Sequence, residues 1–183
     1  ISRERVNTYT FDGYWEDIGT IGAFFKANLE VCDGLPRFNL FDRKRQLYTD
    51  TPFLSPSKIC DAHIKWSIVS DGVIIEECAI RRSVIGMRSR IFPHADLQEV
   101  VMMGTDYYES EEMSKGTAPR LGVGEGSIIQ RAILDKNVCI GKGVRLVNES
   151  NLQEYDDPEG RLYGRDGIIV IPKKAVIPHG FVF

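Results

Sequence analysis

A prism-shaped β-solenoid, a mainly β fold wound from short parallel strands, is what this sequence predicts. Three observations carry it. Aliphatic residues recur about every six positions: Ile68, Ile74 and Ile80, then Ile85, Ile91, Leu97 and Met103, then Ile128, Leu134, Ile140 and Leu146. A small or β-branched residue follows many of them by four, as at Gly72, Cys78, Ser89, Ala95, Val101, Val138 and Val144. A beat of six matches neither a helix nor a simple alternating strand. It fits one inward aliphatic per flat side and one compact residue per corner.

The elements follow in order. Residues 7–11 alternate polar with apolar or aromatic side chains and predict a short strand, turned by Asp12-Gly13. Thr20 is placed to cap a helix in which Ile21, Phe24, Phe25, Asn28 and Leu29 share helical spacing, and Asp33-Gly34 and Pro36 end it. Residues 35–58, with Pro36, Pro52 and Pro56, read as an extended connector. Phe38, Leu40, Phe41, Tyr48, Phe53 and Leu54 make it too apolar for a free linker, so it is expected to pack against something.

The solenoid then spans 59–183. One five-residue step, from Ile80 to Ile85, is assigned to a bulged corner. Two polar stretches, 105–122 and 149–167, read as loops thrown out from the coil. The beat resumes at Ile171 and Ile177. The apolar last coil needs a cover, and self-association is the simplest one.

At 183 residues the chain has room for one large or two small domains. A net charge of −3 argues against a nucleic-acid stripe or a membrane-surface patch. No apolar run reaches the roughly 18 residues that a membrane helix requires. Cys32, Cys60, Cys78 and Cys139 are scattered, without a CxxC pair or a histidine at ligand spacing, so buried reduced thiols are expected rather than zinc. The chain opens Ile-Ser-Arg-Glu-Arg, with neither an initiator Met nor a signal peptide, and reads as a piece of a longer polypeptide.

Two features could carry chemistry. In Tyr14-Trp15-Glu16-Asp17-Ile18-Gly19-Thr20, carboxylates sit just before a helix start, flanked by Gly13 and Gly19. An Asp in such a turn suits Mg²⁺, which takes one or two protein carboxylates plus phosphate oxygens. Equally, Glu16 or Asp17 could serve only the helix dipole. The second feature is basic: Arg131, Lys136, Lys142 and Arg145, and then Lys173-Lys174 in the last coil. Stacked coils can bring distant lysines onto one phosphate, or leave them on a solvated face. His63, His94 and His179 lack an evident Asp or Asn partner and read as corner residues rather than bases. Cys78 and Cys139 read as packing residues.

These residues resemble the C-terminal part of the ADP-glucose pyrophosphorylase (glucose-1-phosphate adenylyltransferase) family, especially its plant and cyanobacterial type. The likeness rests on Gly13-Tyr14-Trp15-Glu16-Asp17-Ile18-Gly19-Thr20-Ile21, on Phe24-Phe25-Lys26-Ala27-Asn28-Leu29 and on Tyr48 through Pro56. It continues through Ser83-Val84-Ile85-Gly86-Met87-Arg88-Ser89-Arg90, Met102-Met103-Gly104-Thr105-Asp106-Tyr107-Tyr108 and Ala132-Ile133-Leu134-Asp135-Lys136-Asn137.

The resemblance implies a left-handed parallel β-helix over 59–183, an extended connector over 35–58, and over 1–34 the end of a Rossmann-like nucleotidyltransferase domain. It implies a parent enzyme joining ATP and glucose 1-phosphate into ADP-glucose and pyrophosphate, for glycogen or starch synthesis. Asp17 would be a catalytic carboxylate holding Mg²⁺, with Glu16 and Trp15 near the substrate. Lys136 and Lys173, with Lys174 and Arg131 as neighbours, would bind a phosphorylated activator such as 3-phosphoglycerate or fructose bisphosphate, opposed by inorganic phosphate or a nucleotide. A homotetramer is implied, cytoplasmic in bacteria or plastidial in plants and algae, with no nucleic-acid or membrane partner.

The family's glycine-rich phosphate loop does not occur in 1–183. Gly122-Val123-Gly124-Glu125-Gly126 matches solenoid corners instead. The fragment is therefore expected to be inactive alone, a regulatory and assembly module. A free-standing hexapeptide acyltransferase using His94 is the competing reading, and a purely structural solenoid is the third.

Overall fold

The computed structural model describes residues 5–44, 47–50, 52–110 and 115–183. Its one described helix, α1 (Ile21–Glu30), begins where the sequence placed it. Thr20 has extended backbone, and its Oγ1 accepts from the Ala23 N–H at 3.1 Å. A second cap comes from far along the chain: an Asp166 carboxylate oxygen accepts from the Gly22 N–H at 3.2 Å.

The strand expected over 7–11 does not form. Those residues are exposed and meet no described strand, so their alternation has nothing to pair with. Much of the connector is likewise uncovered by this chain, with Leu35, Tyr48 and Phe53 almost fully exposed.

From Lys58 the chain winds in coils. The first holds β1 (Lys58–Cys60), β2 (His63–Lys65) and β3 (Ile68–Val69), and the second β4 (Ile74–Glu76), β5 (Ala79–Arg81) and β6 (Val84–Ile85). The third holds β7 (Arg90–Ile91) and β8 (Asp96–Met102), which crosses a corner and serves two faces. The fourth repeats this with β9 (Gly122–Val123) and β10 (Ile128–Leu134). The fifth holds β11 (Cys139–Ile140), β12 (Arg145–Leu146) and, after an insert, β15 (Ile168–Ile171); β16 (Val176–Ile177) opens the last. Pairing between coils is parallel throughout, as a left-handed β-helix requires.

Three inward columns form the core. Ile75, Ile91, Val123, Ile140 and Ile177 stack on one face. Ile64, Ile80, Leu97, Ile129 and Leu146 stack on the second, and Val69, Ile85, Met102, Leu134 and Ile171 on the third. Most are fully buried.

The expected beat was one residue out at Ile68, Ile74, Met103 and Ile128, where the inward side chain is Val69, Ile75, Met102 or Ile129. Met102 is 1% exposed and Met103 37%. Steps of five and of six both recur between inward positions. A step of five also separates Ile64 from Val69 and Ile75 from Ile80, so the step from Ile80 to Ile85 belongs to the ordinary rhythm and is not a bulge.

Each corner has two fixed positions. Three residues before an inward aliphatic the backbone is left-handed, as at Asp61, Glu77, Arg88, His94, Arg131, Asn137 and Lys174, with φ from 39° to 64°. One residue later comes a compact inward side chain: Val73, Cys78, Ser89, Ala95, Val100, Ser127, Ala132, Val138 or Val144. The expected corner residues Gly72 and Val101 therefore shift to Val73 and Val100.

Val101 points outward instead, and with Ile133 and Ile168 it forms an apolar strip on the third face. Phe25 and Leu29 of α1 cover that strip, 5% and 2% exposed. Burying such a pair contributes on the order of 3–6 kcal/mol before ordering costs.

The insert at 149–167 is not a plain loop. It contains β13 (Glu154–Asp156) and β14 (Tyr163–Arg165), an antiparallel hairpin that pairs onto β15. Leu162 is fully buried in the core, Tyr155 lies on Phe183 at 4.9 Å, and Arg161 lies over Phe181 at 4.9 Å. The chain thus covers much of its own last coil, where self-association was expected.

Candidate functional site: a two-lysine seat at one corner

The alignment of coils brings Lys136 and Lys173 together. Leu134 pairs with Ile171, so the residues just after them share a corner. Lys136 Nζ lies 2.7 Å from Asp106 Oδ1, and Lys173 Nζ 3.5 Å from Asp106 Oδ2. Asn137 Nδ2 donates to Asp106 Oδ2 at 2.9 Å, while Asn137 Oδ1 accepts from the Asp106 N–H at 2.8 Å. The hydrogen bond from Lys136, then that from Asn137, hold the Asp106 carboxyl well below the usual carboxylate range. All three charged side chains are about half exposed. The corner is therefore a solvent-facing basic seat already filled by one carboxylate of the chain.

Lys174 and Arg131 stand apart from this seat in their contacts. Lys174 holds the left-handed corner position, and its N–H donates to the Lys136 carbonyl at 2.9 Å. Arg131 lies over the Phe25 ring at 5.9 Å, on the helix side. Lys142 pairs with Glu125 at 3.0 Å and Arg145 with Glu149, so of the basic stretch only Lys136 meets Lys173 at Asp106. Sequence reading missed Asp106 and Asn137. The signal was there, since Gly104-Thr105-Asp106 leaves β8 at the corner where Asp135-Lys136-Asn137 leaves β10. It was hidden by treating residues from 105 onward as loop.

Residues 105–109 are in fact lashed to the coils. Thr105 N–H donates to the Met87 carbonyl at 2.9 Å, and its hydroxyl donates to the Arg88 carbonyl at 3.0 Å. Tyr108 donates to the Gly72 carbonyl at 3.0 Å, and Glu109 accepts from Arg120 Nε at 2.7 Å and from the Leu121 N–H at 3.2 Å. The far part of that insert is pinned by His179. Its Nδ1 accepts from the Lys142 N–H at 2.8 Å, leaving Nε2 to donate to the Thr117 carbonyl at 2.8 Å. His94 occupies a corner with φ 62°, a backbone role.

At the other end, Asp17 Oδ1 accepts from the Gly19 N–H at 3.0 Å, an Asx turn ahead of the helix, and its carboxylate is exposed. Trp15 and Glu16 are exposed too. Asp17 Oδ2 has no hydrogen-bond partner among the described residues, so Asp17 offers one oxygen to solvent. Among the described residues no group of three or more His, Cys, Asp or Glu side chains could hold a metal. The thiols are packing groups: burial pushes Cys78 up to about 11 and raises Cys32 and Cys139 as well. Gly122, Gly124 and Gly126 sit within the coils, Gly122 with φ 106° against the Arg90 carbonyl.

Comparison with known protein families matches residues 52–182 to the GLGC left-handed parallel beta-helix domain. The match takes in every coil, both inserts and the two-lysine seat, while residues 1–51 lie outside it. With inward columns, corner chemistry and this match in agreement, the chain belongs to the glucose-1-phosphate adenylyltransferase family through its C-terminal β-helix domain.

Proposed function

We propose that this chain is the regulatory and assembly part of a glucose-1-phosphate adenylyltransferase of the plant and cyanobacterial type, and that Lys136 and Lys173 seat a phosphorylated effector. One observation carries the reading: lysines from successive coils close on one carboxylate, Asp106. A phosphate group offers more acceptor oxygens and more charge than a carboxylate, so it competes for the same ammonium donors. On this reading Asp106 is a built-in stand-in for the effector, and effector binding releases the stem of the insert that follows it. Lys174 adjoins the seat through its backbone and Arg131 lies on the helix side, so neither forms it.

Asp17 belongs to the catalytic part of the parent enzyme, with Trp15 and Glu16 near the substrate. Bound Mg²⁺ would supply charge stabilisation to the phosphates of ATP as glucose 1-phosphate reacts. Asp17 would contribute one oxygen, its other being held by Gly19. The exposed apolar residues of 5–57, Trp15, Leu35, Phe41 and Phe53 among them, suit burial against that catalytic part. The parent enzyme is expected to be a homotetramer, cytoplasmic in a bacterium or plastidial in a plant or alga. The chain alone should not make ADP-glucose.

The test is calorimetric titration of the chain with 3-phosphoglycerate and with fructose 1,6-bisphosphate. Asp106→Asn should tighten binding by freeing the lysines, and the double variant Lys136→Gln/Lys173→Gln should abolish it. Equal affinity in the wild type and the double lysine variant would refute the seat.

A further inference from the structure

A second basic site lies under the stem of the first insert. Arg88, Arg90, Tyr108, Glu109, Ile74 and Leu121 enclose a pocket of about 230 Å³. Arg90 projects from β7, donates to Glu76 at 3.3 Å and lies over the Phe92 ring at 4.6 Å. Its Nε is buried and has no hydrogen-bond partner among the described residues. A buried guanidinium donor without an acceptor is costly, and such groups in folded proteins mark an unseen water, ion or ligand.

Arg88 adds a second guanidinium to the wall. It donates to the Thr105 carbonyl at 3.3 Å and has no carboxylate partner among the described residues. The acids at this pocket do not neutralise it. Glu109 is already bound by Arg120, which lies on Phe92 at 4.8 Å, and Glu76 engages a single nitrogen of Arg90. Among the described residues, Arg88, Arg90 and Arg120 thus meet only Glu76 and Glu109, one positive charge over.

We infer that this pocket is an oxyanion site, for the phosphate or carboxylate group of a small metabolite, with Arg88 and Arg90 as its donors. A planar guanidinium fork matches either group, and the pocket's size admits a compact ligand rather than a nucleotide. The site differs from the two-lysine seat in every donor. It shares only the stem: Arg88 holds the Thr105 carbonyl, and Lys136 holds the side chain of the next residue, Asp106. An anion at either place therefore acts on the same five-residue strap.

The experiment follows the side-chain Nε–Hε resonance of Arg90 in the ¹⁵N-labelled chain during titration with inorganic phosphate, and separately with acetate, at constant ionic strength. A saturable shift with either anion is expected. It should persist in Lys136→Gln/Lys173→Gln, and binding should weaken about tenfold or more in Arg88→Gln, as loss of a charge-assisted pair implies. Arg90→Lys, which keeps the charge but loses the fork, should abolish a calorimetric signal measured in the lysine-variant background. No saturable shift with either anion would overturn the inference and leave the pocket to water. A shift that disappears in the double lysine variant would overturn it too, because the anion would then be bound at the seat.

Discussion

Ser127 offers the sharpest test of the corner chemistry. It occupies the compact inward position of the fourth coil, fully buried, with Ala95 and Val144 at the same corner of the adjoining coils. Alanine and valine fit that column, so shape alone does not require serine. The hydroxyl does something else: Oγ donates to the Gly141 carbonyl at 2.8 Å and accepts from the Val144 N–H at 3.2 Å. Ser127→Ala deletes one small atom but strands a buried N–H, which costs about 1–3 kcal/mol. For a chain of this size that is a fall in Tm of roughly 4–8 °C if the cost is near 2 kcal/mol. Urea unfolding with an unchanged m value would measure it, and amide exchange at Val144 would localise it. Stability within about 0.5 kcal/mol of the wild type, with Val144 as slow as before, would refute the account.

Three further outcomes are expected. Leu162→Ala empties a fully buried position beneath the end hairpin and should cost about 3 kcal/mol, with exchange rising in β16 but not in β4; uniform exchange would contradict the capping role. Gly122→Ala places a Cβ 2.2 Å from the Arg90 carbonyl oxygen at φ 106°, whereas Gly126→Ala at φ 65° meets nothing within 4 Å. The first should therefore lose far more than the roughly 1–2 kcal/mol of left-handed strain shared by both, as thermal melts would read. Asp157 is held down to about 2 by its hydrogen bonds with Arg161. Because the folded value lies below the ordinary 3.8, its contribution is complete above that pH and is lost as pH falls towards 2. Carbon-detected titration of its carboxyl should give a midpoint near 2, and a midpoint near 4 would contradict the pairing.

Much of the spool was legible because burial on each face demands an aliphatic at a fixed interval. Its phase was not. Ile74-Ile75, Met102-Met103 and Ile128-Ile129 offer two adjacent candidates, and in a strand a slip of one residue exchanges inside for outside. The end hairpin left a signal that went unread: Asp157-Pro158-Glu159-Gly160 is a turn sequence, with Tyr155 before it and Leu162 and Tyr163 after it. The lysine pair was legible as chemistry, through Lys136 and Lys173, but its anion was not, because Asp106 falls at a corner that an insert follows. Residues 7–11 failed in the opposite sense. Their alternation is real, yet a strand needs a neighbour, and no described strand lies alongside.

Helix α1 touches more of the molecule than its ten residues suggest. Phe25 and Leu29 rest on Val101, Ile133 and Ile168, which belong to the third, fourth and fifth coils. Just beyond its end, Cys32 and Asp33 reach Ser83 and Arg82 in the second. A rod riveted across four rungs cannot swivel on any one of them. The polypeptide leading into Thr20 is thus steered by the whole stack, so a small tilt between rungs would be delivered to that segment as a turn of a rigid lever.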